Sequence, residues 1–224
     1  DSTVGIEFND KFVTFCQEKR EADYSSKDMK FVLGDAQQLV DVLKESGTGP
    51  QEDELVIFAC VNNTFGIMPD DMRAKVYQQI VKALQLAPER SLFLAGYWDG
   101  NHFGNSIQHF YGGNPVLCGD LKDAVIDWDR NVMTTTSGYT TRWTAPEQAY
   151  DTISALGLDV ERIEARSRGV LALASLPAAV DESGTRYASR DLTTSSEQVS
   201  QDYYDSEDAH IFYTNVWGGD NIHI

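Results

Sequence analysis

Three short apolar runs each lead into a side chain that can hydrogen-bond a ligand. "TVGIEF" carries Glu7 near its end, "KFVLGD" closes on Asp35, and "ELVIFACV" is followed by Asn62 and Asn63. If these runs are parallel strands, all of these residues stand at carboxyl ends, where open α/β sheets bind ligands. An ionised Glu offers two acceptor oxygens and can take both hydroxyls of a ribose. An Asp can accept the exocyclic amine of adenine, with a nearby backbone N–H as the donor to N1. The pattern therefore points to a nucleoside-containing cofactor. A second group lies between residues 97 and 143, where aromatic residues are dense and "SGYTTRWT" sets Tyr139, Arg142 and Trp143 close together. Aromatic faces favour cationic groups by ~0.5–2 kcal/mol, and a guanidinium pairs a carboxylate in bidentate fashion. Tyr139, Arg142 and Trp143 are thus the candidate substrate-binding residues. Asp99, His102 and His109 form no tight ligand repeat, so no metal is expected. No side chain is assigned a catalytic role.

These residues need a scaffold, and the first 180 positions supply its pattern. β-rich apolar runs alternate with helical ones, the signature of an α/β layered fold. After the run at 3–8, "NDKFVTFCQEKR" reads as a helix with Asn9 as its cap and Phe12, Val13 and Cys16 on one face. The second run, 30–35, leads to a helix with Leu39, Val40 and Leu43 inward. The nearly all-apolar run 54–61 reads as a central parallel strand covered on both faces. Pro69, Asp70 and Asp71 open a helix with Met72, Val76, Ile80 and Leu84 at four-residue spacing. "SLFLAGYW", 91–98, is a fourth strand, and "TAPEQAYDTISALG" a helix ending at Gly157. "VERIEAR" and "GVLALAS" face each other across Ser167, Arg168 and Gly169 as an antiparallel hairpin. The expected fold is α/β and Rossmann-like, a mostly parallel sheet with an antiparallel C-terminal hairpin.

Bulk composition excludes several function classes. The net charge of -17 over 224 residues opposes binding to nucleic acid or to an anionic membrane surface. No apolar run reaches the ~18 residues of a membrane span. "DSTVGIEF" has neither the basic start nor the apolar core of a signal peptide, and it does not begin with Met. Cys16, Cys60 and Cys118 are odd in number and far apart, which reads as free thiols in a reducing, cytoplasmic compartment. From Ala178 to about Ser200 the composition turns polar, as in a linker. Residues 181–224 carry nine acids against two arginines.

"VGIEFNDKFVTFCQEKR", "FVLGDAQQL" and "DELVIFACVNNTFGIMPDDMRAKV" together resemble the second, third and fourth strand regions of class I S-adenosylmethionine-dependent methyltransferases. The resemblance covers residues 3–175, since "VERIEARSRGVLALAS" is similar to that family's reversed last strand. It implies S-adenosyl-L-methionine as cofactor, with Glu7 at the ribose, Asp35 and Ala36 at the adenine, and Asn62 beside the methionine moiety. The family's first strand and glycine-rich loop, which precede the Glu7 region, have no counterpart here, and "GTGPQ" (47–51) reads as a turn. A nicotinamide dinucleotide is the rival cofactor, because its fold also places an acid at the second strand. The antiparallel finish and "GDA" favour methyl transfer. For the chain as a whole, a non-catalytic methyltransferase-like scaffold is the second reading and a nicotinamide-dependent oxidoreductase the third.

The last stretch, "YYDSEDAHIFYTNVWGGDNIHI", resembles the N-terminal arm of sarcosine and dimethylglycine N-methyltransferases, which make glycine betaine. The expected organisation is therefore an N-terminally incomplete methyltransferase-like domain at 1–177, a polar linker at 178–200, and the arm of a second methyltransferase domain at 201–224. The resemblance implies a small amine or amino acid as substrate. It also implies a second methyltransferase domain in the parent chain, and a 224-residue piece that is inactive alone.

Overall fold

The computed structural model describes residues 2–51, 54–113 and 121–178. The chain divides into two units, Asp1–Pro177 and Ala178–Ile224, and the fold below is that of the first. The arm expected at 201–224 and all but the first residue of the linker lie outside the described residues.

β1 (Thr3–Glu7) runs into α1 (Asp10–Asp23), whose N-cap Asn9 accepts a hydrogen bond from the Lys11 N–H. That cap satisfies one of the donors a helix start leaves without an internal partner. The chain returns as β2 (Met29–Leu33), parallel to β1 and in register from Thr3↔Met29 to Glu7↔Leu33. A short 3₁₀ turn, Ala36–Gln38, leads to α2 (Leu39–Ser46). α2 ends on Gly47 at φ 65°, where its N–H meets the Leu43 and Lys44 carbonyls. The left-handed φ explains the glycine, and the "GTGPQ" stretch begins as the expected turn.

β3 (Val56–Cys60) follows, then the four-residue α3 (Thr64–Ile67) and the long α4 (Asp70–Leu84). β4 (Ser91–Trp98) pairs parallel with β3. An inserted region holds α5 (Phe103–Ser106) and a three-stranded antiparallel sheet of β5 (Val125–Asp127), β6 (Val132–Thr134) and β7 (Thr140–Arg142). The chain then forms α6 (Pro146–Ser154), β8 (Asp159–Arg166) and β9 (Gly169–Ser175). The four-stranded sheet has the order β3-β4-β9-β8. β9 runs antiparallel to both neighbours, so one reversed strand sits next to the edge. This is the α/β, Rossmann-like arrangement with a closing antiparallel hairpin. Among the described residues no helix is long and apolar enough to cross a membrane.

The core explains why β4 is central. It is bonded on both sides, by β3 and β9, and six of its eight residues are buried. Phe93 fills the middle of the core with Phe65, Tyr77, Ile80, Leu84 and Ile153, and Val170, Ala172 and Ala174 alternate inward from β9. Such small alternating residues let helix side chains approach the sheet closely.

Two expectations need correction. β3 reads as covered on both faces, yet its residues alternate in exposure and Ile57 is 41% exposed. Among the described residues it is bonded only to β4, while β1 and β2 form a separate two-stranded sheet. On α1 the face drawn from Phe12, Val13 and Cys16 buries only Val13, and Phe12 is 59% exposed. Periodicity marks an apolar face but not whether a neighbour covers it. Cys16 and Cys60 are free thiols, both part-buried, and burial pushes the Cys60 pKa up to about 12. Cys118 lies outside the described residues.

Candidate functional site

Glu7 closes β1 opposite Leu33 of β2, and the Gly34 N–H donates to the Glu7 carbonyl at 3.0 Å. Asp35 follows one residue later, so the two acids stand at the same carboxyl rim of neighbouring parallel strands. Glu7 Oε1 accepts the Asn9 N–H at 2.8 Å. Asp35 is exposed and caps the Ala36–Gln38 turn, its Oδ1 accepting the Gln37 N–H at 2.8 Å and its Oδ2 the Gln37 amide at 3.0 Å. A carboxylate has about four lone-pair sites, so neither contact saturates its acid. Both carboxylates therefore keep acceptor capacity at the rim. Ala36 packs against the main core.

Asn62 and Asn63 follow β3, both at φ 58°. Left-handed backbone is tolerated by Asn more readily than by most residues, which accounts for the residue type. Asn62 is part-exposed at the rim, whereas Asn63 is buried. The Asn63 Oδ1 accepts the Trp98 N–H at 3.1 Å and its Nδ2 donates to Thr141 Oγ1 at 3.3 Å. One amide therefore ties the end of β4 to β7, which carries Arg142.

Where β3 and β4 end, α4, β7 and α6 line an open cavity of about 400 Å³. Phe65, Tyr77, Tyr97 and Trp143 give it aromatic walls, Arg73, Arg130 and Arg142 a cationic side, and Asp129 and Asp151 two acids. Asp70, at the start of α4, holds all three guanidiniums: Arg73 and Arg142 at 2.7 Å and Arg130 at 3.2 Å. Partial burial works to raise the Asp70 pKa, but Arg142, Arg73 and Arg130 outweigh it and hold it below the ordinary value. Burial, reinforced by the charges of Arg73 and Arg130, lowers the Arg142 pKa against the pull of Asp70.

Tyr77 and Tyr97 share a buried hydrogen bond, hydroxyl to hydroxyl at 3.0 Å. Burial raises both phenol pKa values, that of Tyr77 to about 12. A raised folded-state pKa means that the folded protein keeps protons the unfolded chain releases. The stability from this pair is therefore full below the unfolded tyrosine pKa of about 10 and is lost as pH rises through it toward the folded values. Denaturant unfolding between pH 9 and pH 12 should show this loss, and Tyr97→Phe should shrink it; equal slopes in both proteins would refute the assignment.

Of the three candidate substrate residues, the cavity brings together Arg142 and Trp143. Trp143 stacks on Trp98 at 5.6 Å and donates from Nε1 to the Tyr111 hydroxyl at 3.0 Å. Tyr139 is not among the cavity-lining residues; it packs in a second apolar cluster with its ring 6.3 Å from Tyr111. Asp70, Arg73, Arg130 and Tyr77 were not singled out as site residues from sequence. The i,i+3 spacing of Asp70 and Arg73 was a visible signal, but nothing local links them to Arg130 and Arg142. Among the described residues, no three His, Cys, Asp or Glu side chains cluster as metal ligands.

No protein-family model and no curated protein matches the chain. Solved structures do. The PH0226 protein from Pyrococcus horikoshii aligns over 78% of this chain and 71% of its own, at 12% identity and a TM-score of 0.50. The CcbJ methyltransferase from Streptomyces caelestis covers 77% of this chain and 74% of its own, at 14% identity and a TM-score of 0.49. An S-adenosylmethionine-dependent methyltransferase from Clostridium acetobutylicum covers 79% and 75%, at 9% identity and a TM-score of 0.45. At these identities the likeness is one of fold.

Proposed function

We propose that this chain is part of an S-adenosylmethionine-dependent methyltransferase acting on a small amine or amino acid of the glycine, sarcosine or dimethylglycine type. The observation that supports this reading is the pair of acids Glu7 and Asp35 at one carboxyl rim of β1 and β2. The methyltransferase titles among the structural neighbours agree with it. In this reading Glu7 accepts from the ribose hydroxyls, Asp35 and the Ala36 backbone hold the adenine, and Asn62 lies beside the methionine moiety. S-adenosylmethionine supplies an electrophilic methyl group when bound. Arg142 and Trp143 bind the substrate, Arg142 pairing its carboxylate and the indole excluding water around its nitrogen, while Tyr139, packed outside the cavity, is not assigned to it. Exclusion of water and alignment of the nitrogen lone pair are the chain's own contribution to rate.

The wider proposal rests on sequence resemblance. Residues 1–177 form the methyltransferase-like domain, 178–200 the linker, and 201–224 the N-terminal arm of a second such domain, in a cytoplasmic protein of betaine synthesis.

Calorimetry of the full parent protein with S-adenosylhomocysteine and with NAD tests the cofactor. Binding of NAD alone would favour the oxidoreductase reading, and binding of neither the scaffold. In the full parent protein, Asp35→Ala should weaken S-adenosylhomocysteine binding by ~1–3 kcal/mol, the cost of deleting a hydrogen-bond partner of a buried polar group. Because Asp35 also caps a turn, a melting curve must accompany the titration. Unchanged affinity in a folded variant removes Asp35 from the site.

A further inference from the structure

The apolar run 54–61 reads as a central strand, yet β3 stands at a sheet edge: among the described residues it is bonded only to β4. β1 is placed likewise, bonded only to β2. Neither free edge carries the devices that natural edge strands use against unwanted pairing, such as charges, proline or a bulge. β3 is Val-Ile-Phe-Ala-Cys throughout, and β1 is uncharged until Glu7 closes it. β8 is the contrast. This outer strand, at the other end of the four-stranded sheet, carries Glu161, Arg162, Glu164 and Arg166 and a register shift between Val160 and Arg162. One end of that sheet is finished as an edge, and the other is not.

The two bare edges belong to one slot. Ile6 of β1 packs against the main core, which Phe58 and Cys60 of β3 also join, whereas no apolar residue of β2 does so among the described residues. β1 is therefore the strand of its pair nearer to β3. α2, which connects β2 to β3, packs on α4, and the Val40 N–H donates to Gln79 Oε1 at 3.3 Å. A strand–helix–strand crossover of this kind returns the chain in the same direction, so β1, β2 and β3 run parallel. Apolar side chains along both edges are left in water: Val4 is 37% exposed, and Leu55, just before β3, is 61% exposed.

We propose that a polypeptide segment from outside these 224 residues seats between β1 and β3 as a strand parallel to both, joining the two sheets into one. The walls of the slot set its chemistry. It spans about five residues, to match the five of β1 and of β3. It is uncharged and rich in β-branched residues, because bonded neighbours would flank it on both edges. It contains no proline, since each of its backbone N–H groups is needed for one ladder or the other. A second copy of this chain does not fit: a slot walled on both sides has no room for the edge of a whole sheet. The net charge of -17 on each copy also opposes self-association. The docking does not rest on the methyl-transfer reading. A parallel strand here would end at the rim where Glu7 and Asn62 stand, so the residues after it would reach the candidate cofactor site.

The test is fluorescence anisotropy and amide hydrogen exchange of the 224-residue chain with a labelled peptide, Lys-Thr-Val-Val-Ile-Val-Thr-Lys, whose terminal lysines serve only solubility. The control peptide, Lys-Thr-Val-Pro-Ile-Pro-Thr-Lys, stays apolar but lacks two ladder donors. The strand peptide should bind roughly ten-fold or more tightly than the control, the loss expected from two missing hydrogen bonds. On binding, exchange should slow in β1 and β3 together. Ile57→Lys, at a position 41% exposed, puts a charge beside the slot and should weaken peptide binding by a similar factor. Glu161→Lys, on the outer strand β8, should leave it unchanged. Equal binding of the two peptides, protection of one strand alone, no binding, or a free chain that sediments as a dimer overturns the proposal. The two-peptide comparison and the exchange pattern use the unsubstituted chain, so they decide the matter even if Ile57→Lys fails to fold. Titration with S-adenosylhomocysteine is a separate measurement, so failure of the docking and failure of the cofactor assignment are told apart.

Discussion

Phe93→Ala is expected to lower the folding stability by about 3–5 kcal/mol, the range for truncating a buried Phe. Phe93 is fully buried in β4, with Phe58 beside it on one neighbouring strand and Ala174 on the other. Its ring meets Phe65 edge-on at 6.1 Å and Tyr77 at 6.4 Å. Truncation therefore removes transfer energy and edge-to-face contacts together. The hole cannot close easily, because Ala174 is too short to fill it and both flanking strands are hydrogen-bonded in register. Domains of this size are stable by only about 5–15 kcal/mol, so much of the margin disappears. The melting temperature should fall by about 6–20 °C. Denaturant titration should show a lower midpoint with little change of slope. A loss under about 1 kcal/mol would mean that the aromatic cluster is not the centre of the core.

Gly66→Ala should cost about 3 kcal/mol or more, at the upper end of overpacking effects. Its backbone is unremarkable in φ; the reason is space. A Cβ on Gly66 would fall on the Asn63 side-chain amide and on the Arg142 backbone carbonyl. A flexible side-chain tip could retreat, but a backbone carbonyl in β7 cannot move without the strand. Displacing the amide would also break its bonds to the Trp98 N–H and to Thr141. The damage should therefore extend from stability to the cavity, and retained binding of a carboxylate ligand in a destabilised Gly66→Ala chain would refute that link. Gly49→Ala is the control. Its added Cβ meets nothing within 4 Å, so its effect should stay within about 0.5 kcal/mol.

Both substitutions separate what is local from what is not. The strand 91–98, the helix opening at Asp70, the Asn9 cap and the hairpin around Ser167 were legible because each rests on spacing, capping or turn chemistry within a few residues. The carboxyl-rim placement of Glu7 and Asp35 was legible for the same reason, since a strand end and a parallel register are enough to predict it. β3 misled because an apolar run records what a strand can bury, and Ile57 lies on a strand bonded, among the described residues, to one neighbour only. Tyr139 and Trp143 are close in sequence, yet they serve different surroundings: a ring packed in the second cluster and an indole in the cavity wall.

The sequence by itself determined the order of the elements, the α/β class, the reversed strand near the sheet edge and the acids at the rim. These follow from periodicity and from groups that act on their immediate neighbours. Only the tertiary structure decided that Asp70 meets Arg130 and Arg142, and that Asn63 joins β4 to β7. Those pairings depend on how an inserted sheet folds back over a helix start. They are set by packing and charge across 60 residues or more, as the Asp70–Arg130 separation shows, and chain spacing does not encode them.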